Sequence, residues 1–158
     1  MWRLRFAFIL MAVGLGFCVP YWMAEPAPVV YPVMKGNNPC GIRYNPRNDW
    51  EGAVQQSGFI SRIYGLRACA LTLKTYHDKG IRTVGGMIER WAPPAENDTG
   101  AFTAFVSGWL GVVSDEVIPQ DYETFVALVH AISRFENTGP RVSAWELEMG
   151  MKLAGFTR

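Results

Sequence analysis

Downstream of Tyr64 the apolar residues recur at helical spacing in short stretches, and each stretch is closed by a residue that cannot prolong a helix. YGLRACALTLKTYHDKG places Leu66, Cys69 or Ala70, Leu73 and Tyr76 on one side and ends at Gly80, a residue suited to a left-handed stop. TVGGMIERW runs from a cap at Thr83 through Val84, Met87, Ile88 and Trp91 until Pro93 and Pro94 halt it. A third stripe, after Asp98 or Thr99, carries Phe102, Phe105 or Val106, and Trp109 inward and closes at Gly111. A fourth starts near Asp121, and a fifth at Ser143, whose partner Glu146 completes a capping box. Only Ile42 to Ile60 lacks the period, and that stretch is read as loops or a small hairpin. The pattern predicts a mainly α domain.

The 158 residues, 49% hydrophobic and 18% charged, suffice for one domain and a tail. A net charge of +1, with Lys and Arg spread along the chain, lacks the field that draws nucleic acid. Residues 6–24, FAFILMAVGLGFCVPYWMA, carry no charge and are long enough to cross a hydrocarbon core or nearly so. Arg3 and Arg5 before them and Glu25 after them place the N-terminus in the cytoplasm and the bulk of the protein outside. Trp22 stands where a signal-peptide cut after Ala24 needs a small residue, so residues 1–24 are read as a retained transmembrane or signal-anchor segment. Gly14, Gly16 and Pro20 weaken its hold on the bilayer. Residues 25–36, rich in proline, form an extended linker to a domain spanning 37–158.

In the fourth stripe Tyr122, Phe125 or Val126, Val129 and Ile132 lead at helical spacing to an acid, Glu136. About 700° of rotation separates Val129 from Glu136, so the two lie on one line along the helix. Removal from water and the negative end of the helix dipole both disfavour a carboxylate there, which raises the expected pKa. An acid still protonated near neutral pH can donate to a glycosidic oxygen. The plainer alternative is a solvated Glu136, or one paired with Arg134 or Arg141.

NNPCGIR at 37–43, Trp50 with Gly52, Phe59, GLRA at 65–68 and RWAPPAENDT at 90–99 together resemble a family of bacteriophage proteins, lysozyme-like or known as virion proteins. Its members show an Asn-Asn-Pro-Gly-Asn-Ile-Arg opening and an Arg-Trp-Ala-Pro-Pro-x-Glu-Asn-x-Thr block. The resemblance spans Gly36 to about Gly150, with one departure: Cys40-Gly41 stands in place of Gly-Asn. The 37–43 stretch with its Trp-x-Gly is also similar to the segment that follows the catalytic glutamate helix in lysozyme-like glucosaminidases. Here AISRFENTG, at 131–139, resembles that helix end but comes after the rest of the domain. The resemblance implies a lysozyme-like, circularly permuted helical fold in which Glu136 returns to the loop of Asn38 and Arg43.

These residues define the candidate site. Glu136 is the expected general acid, and Glu96 either a second catalytic group opposite it or a charge that stabilises the next helix start with Asn97 and Asp98. Asn38, Arg43, Tyr44, Trp50, Asn97 and Thr99 are the expected substrate contacts, with Arg43 gripping an acetamido or lactyl group or else pairing with Asp49 or Glu51. Trp91 lies on an apolar stripe and is read as core. His77 and His130 have no acid or second ligand at a useful spacing, so neither metal nor cofactor is expected. Cys18, Cys40 and Cys69 are an odd set: either buried small hydrophobes or a redox switch in which Cys18, once out of the membrane, attacks a Cys40 disulfide. The latter resembles signal-anchor-release endolysins. The expected function is a monomeric phage peptidoglycan glycosidase, muramidase or lytic transglycosylase, held in the host inner membrane by residues 6–24 with its domain in the periplasm, or else carried in the virion. The rival is a non-catalytic, membrane-anchored virion structural protein that binds cell wall or capsid components.

Overall fold

Helices start where a short polar side chain can satisfy the first free backbone amides. The Thr83 hydroxyl accepts from Gly86 N at 3.1 Å to open α2 (Val84–Trp91). Asp98 accepts from Ala101 N at 3.0 Å before α3 (Thr99–Leu110), and Asp121 from Thr124 N at 2.8 Å before α4 (Tyr122–Glu136). At α5 (Ala144–Leu153) the exchange is reciprocal: Ser143 Oγ accepts from Glu146 N at 3.2 Å, and Glu146 Oε2 accepts from Ser143 N at 2.7 Å. The longest helix, α1 (Arg62–Asp78), follows Ser61 without a side-chain cap and begins two residues before the expected stretch. Gly80 and Gly111 take φ of +88° and +69°, the left-handed stops that end α1 and α3.

The computed structural model describes residues 35–48, 50–137 and 140–158, all within the unit Tyr31–Arg158. The expected membrane segment, Cys18 and most of the linker lie outside the described residues. Among the described residues the architecture is mainly α, and no helix is long and apolar enough to cross a membrane. The stretch from Ile42 to Ile60 reduces to a minimal hairpin. Ala53 bridges Phe59, Ile60 N donates to Gly52 O at 2.8 Å, and a single 3-10 turn, Gln55–Ser57, makes the tip.

Apolar stripes decide the packing. α1 and α5 share the longest face, α3 lies against both α2 and α4, and α4 reaches α1 and α5. Leu66, Leu73, Met87, Ile88, Phe102, Phe125, Leu128 and Ile132 are all but completely buried. Each such side chain contributes roughly 1.5–3 kcal/mol, against about 0–1 kcal/mol for an exposed ion pair such as Lys74–Asp78, so the stripes hold the fold. Of the paired alternatives, Phe125 and Val106 are the inward residues, while Cys69 and Ala70 are both buried.

Trp109 departs from expectation. It lies on the same side of α3 as Phe102 and Val106, yet it is 43% exposed. Its angle is right but its height is not: in the last turn of α3 the indole meets the His130 ring edge-on at 5.1 Å and stays half in water.

The α1–α5 contact leaves no room at Gly150, where an added Cβ would stand 2.7 Å from Leu66 Cβ and 3.1 Å from Ile63 O. At Gly108 in α3 nothing lies within 4 Å. The same substitution therefore has opposite signs. Gly150→Ala should lower stability by about 1–2 kcal/mol, overpacking exceeding the helix-propensity gain, and Gly108→Ala should raise it by about 1 kcal/mol. Paired thermal melts check both.

Candidate active site

The NNPCGIR segment is a loop braced by its own asparagines. Asn37 Nδ2 donates to Phe59 O at 3.0 Å, and Phe59 N donates back to Gly36 O at 3.2 Å. Asn38 accepts from Ile42 N at 3.0 Å and donates to Ile42 O at 2.9 Å, closing the turn from both sides. Within that turn Gly41 adopts φ +62°, a conformation that side-chain-bearing residues rarely take. The loop rests on the start of α1 because Gly65, the first residue of GLRA, has no Cβ to meet Asn37 O, which would lie only 2.4 Å away.

α4 delivers its last residue onto this loop. A Cβ built on Gly41 would fall 2.5 Å from Glu136 Oε2, so the carboxyl sits directly over the bare Cα. The other oxygen, Oε1, accepts from Trp91 Nε1 at 3.1 Å. Both oxygens are thereby placed by elements far apart in the chain. Trp91, expected in the core, is half-buried: from the last turn of α2 it packs against the core while its indole N–H donates to Glu136.

The electrostatics of Glu136 balance opposed effects. Crowding of the carboxyl by the loop and α2 raises its pKa above the ordinary carboxylate value, although the residue as a whole keeps an open side; the Trp91 donor and the Arg43 charge pull it back down without cancelling the rise. Glu136 lines a groove of about 330 Å3 together with Gly41, Arg43, Trp50, Trp91 and Asn97. Neither Arg134 nor Arg141 pairs with it among the described residues. The arrangement can hold an elongated polar ligand among indoles and amides, beside an acid whose neutral form is favoured relative to an ordinary carboxylate.

Three of the expected contacts, Arg43, Trp50 and Asn97, therefore meet Glu136 in one groove. Others have different work. Arg43 makes an ion pair with Glu96, joining the NNPCGIR loop to the PPAEN turn, and this holds Glu96 in a rim contact rather than facing Glu136 across the groove. Of the partners expected for Arg43, Glu51 instead meets Arg67 at 3.2 Å. Asn38 braces the loop, and Tyr44 packs against the core. Thr99 donates its hydroxyl to Ala92 O at 2.6 Å and lines a separate hollow on the other side of α2. Beneath the groove Cys40 and Cys69 are buried free thiols whose side chains face each other; burial first, then Cys40 itself, raises the Cys69 pKa well above the ordinary thiol value. Cys18, the attacking thiol of the expected switch, lies outside the described residues. His77 bonds Ile118 O at 3.0 Å in the core. Asn45, Asn48, Tyr76 and Arg90 also line the groove: the sequence marks Tyr76 only as part of an apolar stripe and Arg90 only as the first residue of the RWAPPAENDT block, neither as a groove residue.

The Trp91 donor gives a signed test. Trp91→Phe keeps the ring but removes a hydrogen bond that favours the charged acid, so the Glu136 pKa should move further up. Carboxyl 13C NMR titration reads it directly; a downward move would contradict the geometry.

No protein-family model matches the chain. Protein P5 of Pseudoalteromonas phage PM2 is 30% identical to it over 128 residues, which cover 75% of this chain and 79% of P5. With that identity across most of both proteins, the chain belongs to the bacteriophage protein family that includes Protein P5.

Proposed function

We propose that this member of a phage protein family is a peptidoglycan glycosidase in which Glu136 protonates the bridging oxygen of a β-1,4 bond. The observation that supports it is the seating of Glu136: one oxygen held by Trp91, the other over Gly41, the pKa raised, at the wall of a groove with Trp50 and several amides. Indoles suit the apolar faces of sugar rings, and amides suit N-acetyl groups. We read the fold as a circularly permuted lysozyme-like domain, because the glutamate helix α4 comes after the NNPCGIR loop and α1–α3, with α5 following it, and returns to that loop. Residues 6–24 would hold the domain on the periplasmic side of the host inner membrane, or the protein would travel in the virion.

Glu136 is the one carboxylate among the described residues that line the groove, since Glu96 is taken by Arg43. That favours a lytic transglycosylase route over direct attack by water. Glu136 gives its proton to the leaving oxygen as the bond to the sugar's C1 breaks. The same sugar's C6 hydroxyl then closes on C1, and its proton returns to the Glu136 carboxylate. An anhydro end results, with no water consumed.

A second reading is a virion structural protein that binds cell wall or another capsid component without cutting. It is favoured by the aromatic surface away from the groove, where Phe105, Trp109, Phe135 and Trp145 are 38%, 43%, 39% and 63% exposed.

Zymography on purified peptidoglycan separates the two. The glycosidase gives a cleared band that Glu136→Gln reduces by about 100-fold or more, within the range of a lost general acid. Because the reactive form is the protonated one and its pKa is raised, activity should fall as pH climbs through a value above the ordinary carboxylate range. Wall binding without clearing supports the structural protein instead.

A further inference from the structure

Two arginines face the groove, but only one has its charge answered. Arg43 is paired with Glu96. Arg90, in the last turn of α2, is exposed and has no ion pair or hydrogen bond among the described residues. The two residues at this helix end divide the groove between them. Successive positions on a helix point about 100° apart, so while Trp91 reaches Glu136, its neighbour Arg90 turns toward α1 and the half-buried phenol of Tyr76. A guanidinium without a carboxylate partner among the described residues lies beside a phenolic hydroxyl that can also donate. Their joint complement is a carboxylate, which a planar guanidinium binds through two parallel bonds.

We propose that Arg90 and Tyr76 form an anion subsite that recognises a carboxylate on the muramoyl side arm of the glycan, next to the bond presented to Glu136. The inference rests on the glycosidase reading for the identity of the glycan and adds to it the feature that separates peptidoglycan from chitin. Both polymers share a β-1,4 backbone of N-acetylated sugars, and only one carries acids on alternate units. The acid has two sources. In peptide-free strands it is the lactyl carboxylate; in peptide-bearing strands the lactyl group is capped as an amide and the acids belong to the peptide stem.

The test measures binding by calorimetry with the full-length chain, its parent sequence beside Arg90→Gln, Arg90→Lys and Tyr76→Phe. Three soluble oligomers of equal length serve as probes: a chito-oligosaccharide, a peptide-free muramoyl strand and a peptide-bearing one. Each is also assayed for cleavage. Arg90→Gln should weaken a carboxylate-bearing oligomer about tenfold or more, the usual range for a charge-assisted hydrogen bond, and leave the chito-oligosaccharide unchanged. Arg90→Lys should recover part of the loss, and Tyr76→Phe should cost less than Arg90→Gln. The muramoyl probe that loses affinity names the source of the acid. Equal losses on all three probes, or none on any, overturn the subsite while cleavage by the parent leaves the glycosidase standing. Binding with the expected discrimination but without cleavage overturns the glycosidase and leaves the subsite, whereas failure of every muramoyl probe to bind the parent overturns both.

Discussion

The contact between Glu136 and Gly41 is the constraint on which the rest of the site depends. An acid at the end of a helix would ordinarily reach into water, and here it lies over a Cα that has no side chain to displace it. That needs a loop turned through φ +62° at Gly41, closed by Asn38 on Ile42, and seated on α1 where Gly65 has no Cβ. It needs α4 to arrive with Val129 and Ile132 fully buried behind it, so that the position of its last residue is set by the core rather than by the loop. Packed elements on both sides of the carboxyl thus fix its position.

From this contact the electrostatics follow. A carboxyl pressed against backbone and indole loses water on one side, which favours its neutral form, while Trp91 and Arg43 limit the rise. The Arg43–Glu96 pair is exposed and adds little to stability, yet it links the two segments that edge the groove and removes a second carboxylate from it. Burial makes the thiols of Cys40 and Cys69 part of the core and raises the pKa of Cys69.

Much of the helical architecture was legible because caps and stops are local. Thr83, Asp98, Asp121 and Ser143 each fix a helix start through one or two nearby hydrogen bonds, and Gly80 and Gly111 fix stops through their own backbone. Rotation about one helix relates Glu136 to Val129, but Val129 is buried whereas Glu136, at the helix end, turns onto the Gly41 loop and remains exposed overall. What periodicity does not carry is height along the bundle. Trp91 and Trp109 both lie on apolar stripes in the final turn of their helices, yet one packs against the core and donates to the acid while the other is a half-exposed ring. The pairing of Arg43 with Glu96 is fifty-three positions long-range and left no trace in spacing, and Thr99 could not be told from a groove residue until α2 was seen to stand between. Tyr76 showed only as a member of the α1 stripe and Arg90 only as the start of the RWAPPAENDT block, because nothing local to either residue tells that two helices bring them to one groove.

The most direct measurement of the central claim is mass spectrometry of the soluble fragments released from purified peptidoglycan by the full-length protein. The proposed glycosidase, with Glu136 the one groove carboxylate among the described residues, predicts fragments ending in anhydro-muramoyl units, absent when Glu136→Gln is used. Release of no fragments, or of the same fragments by the Glu136→Gln variant, would contradict it.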